Sequence, residues 1–179
     1  MCSYRRFLLS PITSPPCHTL ERGASFFWRW SLAKYSGSIV VNKPVSEVFS
    51  YMAVPENAPQ WMPDVVGIKR VTPGPLALGS KFEETRKTGP GMKETFPTEV
   101  TKWVTDREMG FVATGKTVTV TVHYNLSSTT GGAKADYVID FQWRGFAKCT
   151  ALFIGPMIGM SLKKNHQRLK GCIEGTAKK

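Results

Sequence analysis

The chain has 179 residues, an ordinary globular composition, and 24 lysines and arginines against 13 aspartates and glutamates, for a formal charge of +11. That length suits one domain with a real core, and no apolar run approaches the ~20 residues of a membrane-spanning helix: the best, Ala151–Leu162, is short and contains Gly155, Pro156 and Gly159. The charge divides into +4 over Met1–Ser36 and +7 over the rest, with no arginine-rich groove, so nucleic acid is disfavoured; a solvated basic surface is the plain reading and weak attraction to anionic membranes the sharper one.

Met1–Ser36 is rich in Arg, Ser, Pro and aromatics, with Glu21 as its one acid. Arg5-Arg6 before Phe7-Leu8-Leu9 looks like the start of an organelle transit peptide. Pro11, Pro15 and Pro16 spoil an amphipathic helix, and an upstream extension without a fold explains the segment equally well. The domain is expected over residues 38–177. Ser38–Asn42 reads as a β-branched strand. Lys43-Pro44 opens a helix whose apolar face is Val45, Val48, Phe49 and Met52. Pro55–Pro59 breaks that helix before Gln60-Trp61-Met62-Pro63, a short second helix or a turn.

Six strands follow: Val65–Thr72, Ser80–Thr88, Glu94–Thr105, Gly110–Gly115, Thr117–Ser127 and Ala133–Arg144. Pro73-Gly74-Pro75, Gly89-Pro90-Gly91 and Gly131-Gly132 mark turns between them. The fifth is the clearest, with Val118, Val120, Val122, Tyr124 and Leu126 alternating with Thr117, Thr119, Thr121, His123 and Asn125. The chain closes on a helix expected from Pro156 to Glu174, roughly 28 Å long. Pro156 suits its first position and Gly175 its stop. Leu162, Leu169 and Ile173 form its inward stripe, and Lys163, Lys164, Gln167, Arg168 and Lys170 face water. The expected fold class is α+β: a curved antiparallel sheet in the order β–α–α–β6–α, with the last helix across its apolar side.

Cys2, Cys17, Cys149 and Cys172 form no CxxC pair, which points to reduced thiols and no structural zinc. The expected address is therefore intracellular: cytoplasmic, or mitochondrial or plastid if the leader is a transit peptide.

The element order and certain residues together resemble the helix-grip superfamily, often labelled SRPBCC or START-like, which includes START lipid-transfer domains, plant pathogenesis-related allergens and polyketide cyclase/dehydrase-like proteins. The matching text is Ile39-Val40-Val41, Pro44-Val45-Ser46-Glu47-Val48-Phe49, Pro55-Glu56-Asn57 with Trp61-Met62-Pro63 and Val65-Val66, Leu78-Gly79-Ser80, and Leu169–Glu174. It spans nearly the whole chain after the leader. The resemblance, and not the periodicity, implies an elongated apolar cavity between helix and sheet. The fold alone says little about activity.

By alternation, inward positions are Phe82, Phe96, Val100, Phe111, Val120, Val122, Tyr124, Tyr137, Ile139 and Phe141. Trp61 belongs near the mouth, and Met157 and Met160 on the helix. Any one of these is as readily ordinary core; the set suits an adaptable pocket. Glu84 and Arg86 share the phase of Phe82, so they form a candidate pair inside the cavity unless the strand twists them to solvent. Tyr124 and Tyr137 are candidates to offer hydroxyls to a ligand carbonyl. His123 is in a wet phase, and His166, four residues after Leu162, borders the helix stripe but is expected at the tail of the helix rather than at the pocket. No histidine–carboxylate cluster suggests a metal, and no cofactor motif is present.

The leading expectation is a binder or carrier of a hydrophobic small molecule such as a lipid or polyketide. The rival is a polyketide cyclase/dehydrase-like enzyme, for which Glu84, Tyr124 and Tyr137 are the catalytic candidates. A quinone- or lipid-handling organelle protein is the third. Oligomeric state is not legible here.

Overall fold

A computed structural model describes residues 32–145 and 147–176, with residues 32 and 147–154 described by backbone alone. Residues 1–31, where a leader is expected, and the side chains of Cys149, Leu152, Phe153 and Ile154 therefore lie outside the described part of the chain.

Seven antiparallel strands form one sheet in the order β1-β7-β6-β5-β4-β3-β2. They are β1 (Leu32–Val41), β2 (Val65–Arg70), β3 (Lys81–Gly89), β4 (Met92–Val104), β5 (Glu108–Thr114), β6 (Val118–Thr129) and β7 (Gly132–Trp143). Between β1 and β2 lie α1 (Val45–Met52), a 3-10 turn at Pro55–Asn57 and α2 (Ala58–Trp61); α3 (Ala147–Glu174) follows β7. This is the helix-grip arrangement, a curved sheet around a C-terminal helix. Alternation in β6 puts Tyr124 and Leu126 inside and His123 and Asn125 outside, and β7 follows with Ala133, Ala135, Tyr137 and Ile139 buried.

Two boundaries differ from expectation by more than two residues. β1 begins at Leu32 rather than Ser38, pairing from Leu32↔Gln142 to Val41↔Ala133. Residues 32–36 thus belong to the sheet and not to the leader; without them the β7 edge from Val138 to Gln142 would have unpaired backbone groups. The second is α3, which starts at Ala147, so Pro156 sits inside it. A proline there removes one helical hydrogen bond, and packing on β1 offsets the loss. The Tyr35 hydroxyl donates to the Gly155 carbonyl at 2.7 Å, and the Tyr35 ring lies so near Gly159 that a Cβ there would stand 3.1 Å away.

The far end of α3 is as expected. Gly175 has φ of 73°, and the Thr176 N–H reaches the Gly171 carbonyl at 2.8 Å, which satisfies a terminal acceptor in the Schellman manner. Leu169 is fully buried against α1 and the sheet, while Lys163, Lys164, Gln167 and Arg168 are exposed. Among the described residues no helix is long and apolar enough to cross a membrane.

Candidate functional site

The concave face of the sheet and the helices enclose a cavity of about 500 Å³. Phe82, Phe96, Phe111, Val120, Val122, Tyr124, Ile139 and Phe141 line it from the strands, and Trp61 lines it from α2. Val120 and Val122 are only half-buried although they point inward, because they face a hollow rather than other side chains. Val100 is buried elsewhere, in a small cluster with Leu76 and Phe82.

The helix contributes different residues from those expected. Ile158, Ser161, Leu162, Asn165 and His166 line the cavity, a stripe spaced by three and four residues. Met157 and Met160 fall off that stripe and are 66% and 60% exposed. Their suitability as soft gap-fillers said nothing about helical phase, and they do not belong to the site. Tyr137 also leaves it. Its ring stacks on His166 at 3.6 Å and 7°, its hydroxyl abuts Gly37, and it faces a smaller gap between β1 and α3.

One polar group of the cavity is the expected pair, enlarged by a third member. Glu84, 5% exposed, takes hydrogen bonds from Arg86 Nε at 3.1 Å and Nη2 at 2.9 Å. Arg86 Nη1 donates to Asp64 at 2.7 Å, and Nη2 also lies 3.6 Å from the Met62 sulfur. Burial alone would pull the guanidinium down, but the charges and hydrogen bonds of Glu84 and Asp64 outweigh it, and Arg86 is held above its ordinary value. Asp64 escaped the sequence reading because it precedes its strand. Its signal was register: Val65 is the cross-strand partner of Arg86.

The other polar group joins β6 to α3. The Tyr124 hydroxyl and His166 Nε2 are 3.0 Å apart, and His166 Nδ1 is 2.7 Å from the Leu162 carbonyl. A carbonyl can only accept, so in the neutral imidazole Nδ1 carries the proton and Nε2 accepts from Tyr124. Burial pulls His166 down to about 4, against the opposing hydrogen bond to Leu162. Burial likewise raises Tyr124, with Arg86 opposing and Tyr137 and Glu84 reinforcing. Both are neutral near pH 7. The Tyr124 proton is committed to His166, so the hydroxyl presents lone pairs to the cavity and does not offer a proton to a ligand carbonyl. His166 was expected at the tail of the helix; its spacing of four from Leu162 and three from Leu169 is the signal that places it on the inward stripe. Trp61 packs on the same imidazole, ring centres 5.9 Å apart.

Among the described residues no group of three His, Cys, Asp or Glu side chains is placed to hold a metal ion. The walls are aromatic and aliphatic, with two buried polar groups, so the arrangement desolvates an apolar body and holds a polar end by hydrogen bonds.

A curved sheet gripping a long helix over a hollow defines the class: a helix-grip protein with an internal cavity. The chain belongs to the polyketide cyclase/dehydrase and lipid transport family, whose model matches residues 33–174, within the SRPBCC superfamily. Solved structures share the fold at low identity. TTHA0849 from Thermus thermophilus is 9% identical, with 81% of this chain and 99% of that one covered at a TM-score of 0.67. The di-domain ARO/CYC StfQ from the steffimycin biosynthetic pathway is 13% identical, with 82% and 52% covered at 0.66. Ara h 8.0201 is 13% identical, with 80% and 99% covered at 0.59. No curated protein matches by sequence.

Proposed function

We propose that this protein binds, and carries, a hydrophobic small molecule of the lipid or polyketide kind in its cavity. The observation that supports this best is the hollow of about 500 Å³ itself, walled mainly by Phe82, Phe96, Phe111, Phe141 and aliphatic side chains, with the Glu84–Arg86 and Tyr124–His166 pairs among its polar members. Release of water from such a surface supplies affinity, and the buried polar groups orient the guest. The family's description names lipid transport beside cyclase and dehydrase chemistry. Incubating the purified protein with a mixed lipid extract, re-isolating it and identifying the retained molecules by mass spectrometry tests the reading. A reproducible amphiphile near one per chain is expected, and a protein that always returns empty would refute it.

The cyclase or dehydrase reading rests on Tyr124, His166 and Glu84, now without Tyr137. The first two form an acid–base pair in the cavity wall, but burial moves both away from the neutral range in which proton transfer is efficient. Carriage of a ligand is therefore the better supported function.

A further inference from the structure

The polar groups of the cavity also bear on what the guest must carry at its polar end. Five charged residues line the cavity: Asp64, Glu84 and Glu94 against Arg86 and Lys87. Lys87 is exposed, so water screens it. The innermost cluster is Arg86 with two carboxylates, of which Glu84 is nearly sealed from solvent. That cluster already has a net negative charge, and its guanidinium already has two anionic partners. Another carboxylate arriving there meets the nearly sealed Glu84, where like charges repel strongly and a bare anion is poorly solvated, with the more exposed Asp64 adding to the repulsion.

The second polar group discriminates in the same direction by hydrogen-bond polarity rather than charge. Tyr124 gives its proton to His166, whose own proton is held by Leu162. What Tyr124 shows the guest is an acceptor. A carboxylate, which has no proton to give, finds a second acceptor facing it, whereas a hydroxyl donates to Tyr124 or to Glu84. Asn165, one residue before His166 and 5% exposed, lines the same cavity. The volume sets the scale. If ~150 Å³ holds a benzene ring, about 500 Å³ holds roughly 20 non-hydrogen atoms.

We propose that the cavity selects an uncharged amphiphile bearing a hydrogen-bond donor, a long-chain alcohol or phenol, and rejects a carboxylate of the same length. This rests on the ligand-binding reading above and narrows it to one ligand chemistry.

The test uses the full chain at pH 7.5 and a neutral fluorescent probe of suitable size, N-phenyl-1-naphthylamine, displaced by 1-dodecanol or by dodecanoate below its micellar concentration. The probe is expected to brighten on binding, and dodecanol to displace it at about tenfold lower concentration than dodecanoate, one hydrogen bond's worth of discrimination. Glu84→Gln should bring dodecanoate to within about threefold of the alcohol by removing one negative charge. Asp64→Asn, at the more exposed flank of the cluster, should shift the ratio the same way if the first variant does not fold. Dodecanoate matching or beating dodecanol in the native protein overturns the proposal and leaves the ligand-binding reading standing. An unchanged ratio in the folded variants does the same. A probe that never binds and cannot be displaced overturns the ligand-binding reading, and this proposal with it.

Discussion

His166 shows how one buried side chain couples the cavity to stability. It is 1% exposed, stacked on Tyr137 and bonded through both nitrogens. Its value in the folded chain is about 4 against 6.5 for the free side chain. Between those values the unfolded chain takes up a proton that the folded one refuses, so stability is full above 6.5 and falls as pH drops toward 4. From pH 7.5 to pH 5 this one group should remove about 2 kcal/mol. Urea titrations of the native chain and of His166→Gln at both pH values check it. The variant should lose about that much less on acidification, whatever its absolute stability, and equal losses would show that His166 ionises freely in the fold. Residues of this kind were the hardest to read in sequence. Glu84 and Arg86 were legible because they share the strand phase of Phe82. The register of Leu162 and Leu169 brought His166 to the border of the inward stripe, but not how far along the helix the cavity runs.

At the scale of elements, the strands were legible almost throughout, because turn residues punctuate them and one dry and one wet face impose a period of two, clearest in β4, β6 and β7. The helix boundaries were less so. Pro156 is a strong local signal for a helix start, yet the packing of Tyr35 on Gly155 and Gly159, some 120 residues away in sequence, carries α3 through it. Local chemistry cannot report a contact of that separation. The β6–β7 turn is the opposite case, since Gly131-Gly132 was readable as a hairpin from sequence alone. Gly132 adopts φ of 144°, and a Cβ there would collide with the Val41 carbonyl at the end of β1. Gly132→Ala is therefore expected to cost about 1–3 kcal/mol, measurable by urea denaturation. Gly131→Ala, where a Cβ meets nothing within 4 Å, is the control, and equal effects of the two would mean that close approach to β1 is not the cause.

The cavity belongs to the whole molecule and to no single stretch of it, which is why alternation named most of its wall without revealing that the wall encloses space. Phe96 and Val122 look the same in a pattern whether they meet other side chains or a hollow. The distinction has an energetic consequence that a single substitution exposes. Val122 lines the hollow from the middle of β6, with Phe111 and Ile139 as its neighbours on the adjoining strands. In a filled core, Val122→Phe would force side chains off their rotamers at a cost of about 1–3 kcal/mol. In a hollow of about 500 Å³ the added ring occupies empty space and gains contacts, so the melting temperature should hold or rise. The same ring removes room for a guest. N-phenyl-1-naphthylamine should then bind at least tenfold more weakly, and ligand-dependent stabilisation, about 2.7 kcal/mol at a hundredfold excess over Kd, should shrink with it. Differential scanning fluorimetry with and without the probe reads both effects together. A variant that melts several degrees lower and still binds the probe would mean that this space is already packed and that the guest sits elsewhere. Retained stability with lost binding is the signature of a container whose interior is kept open for its contents.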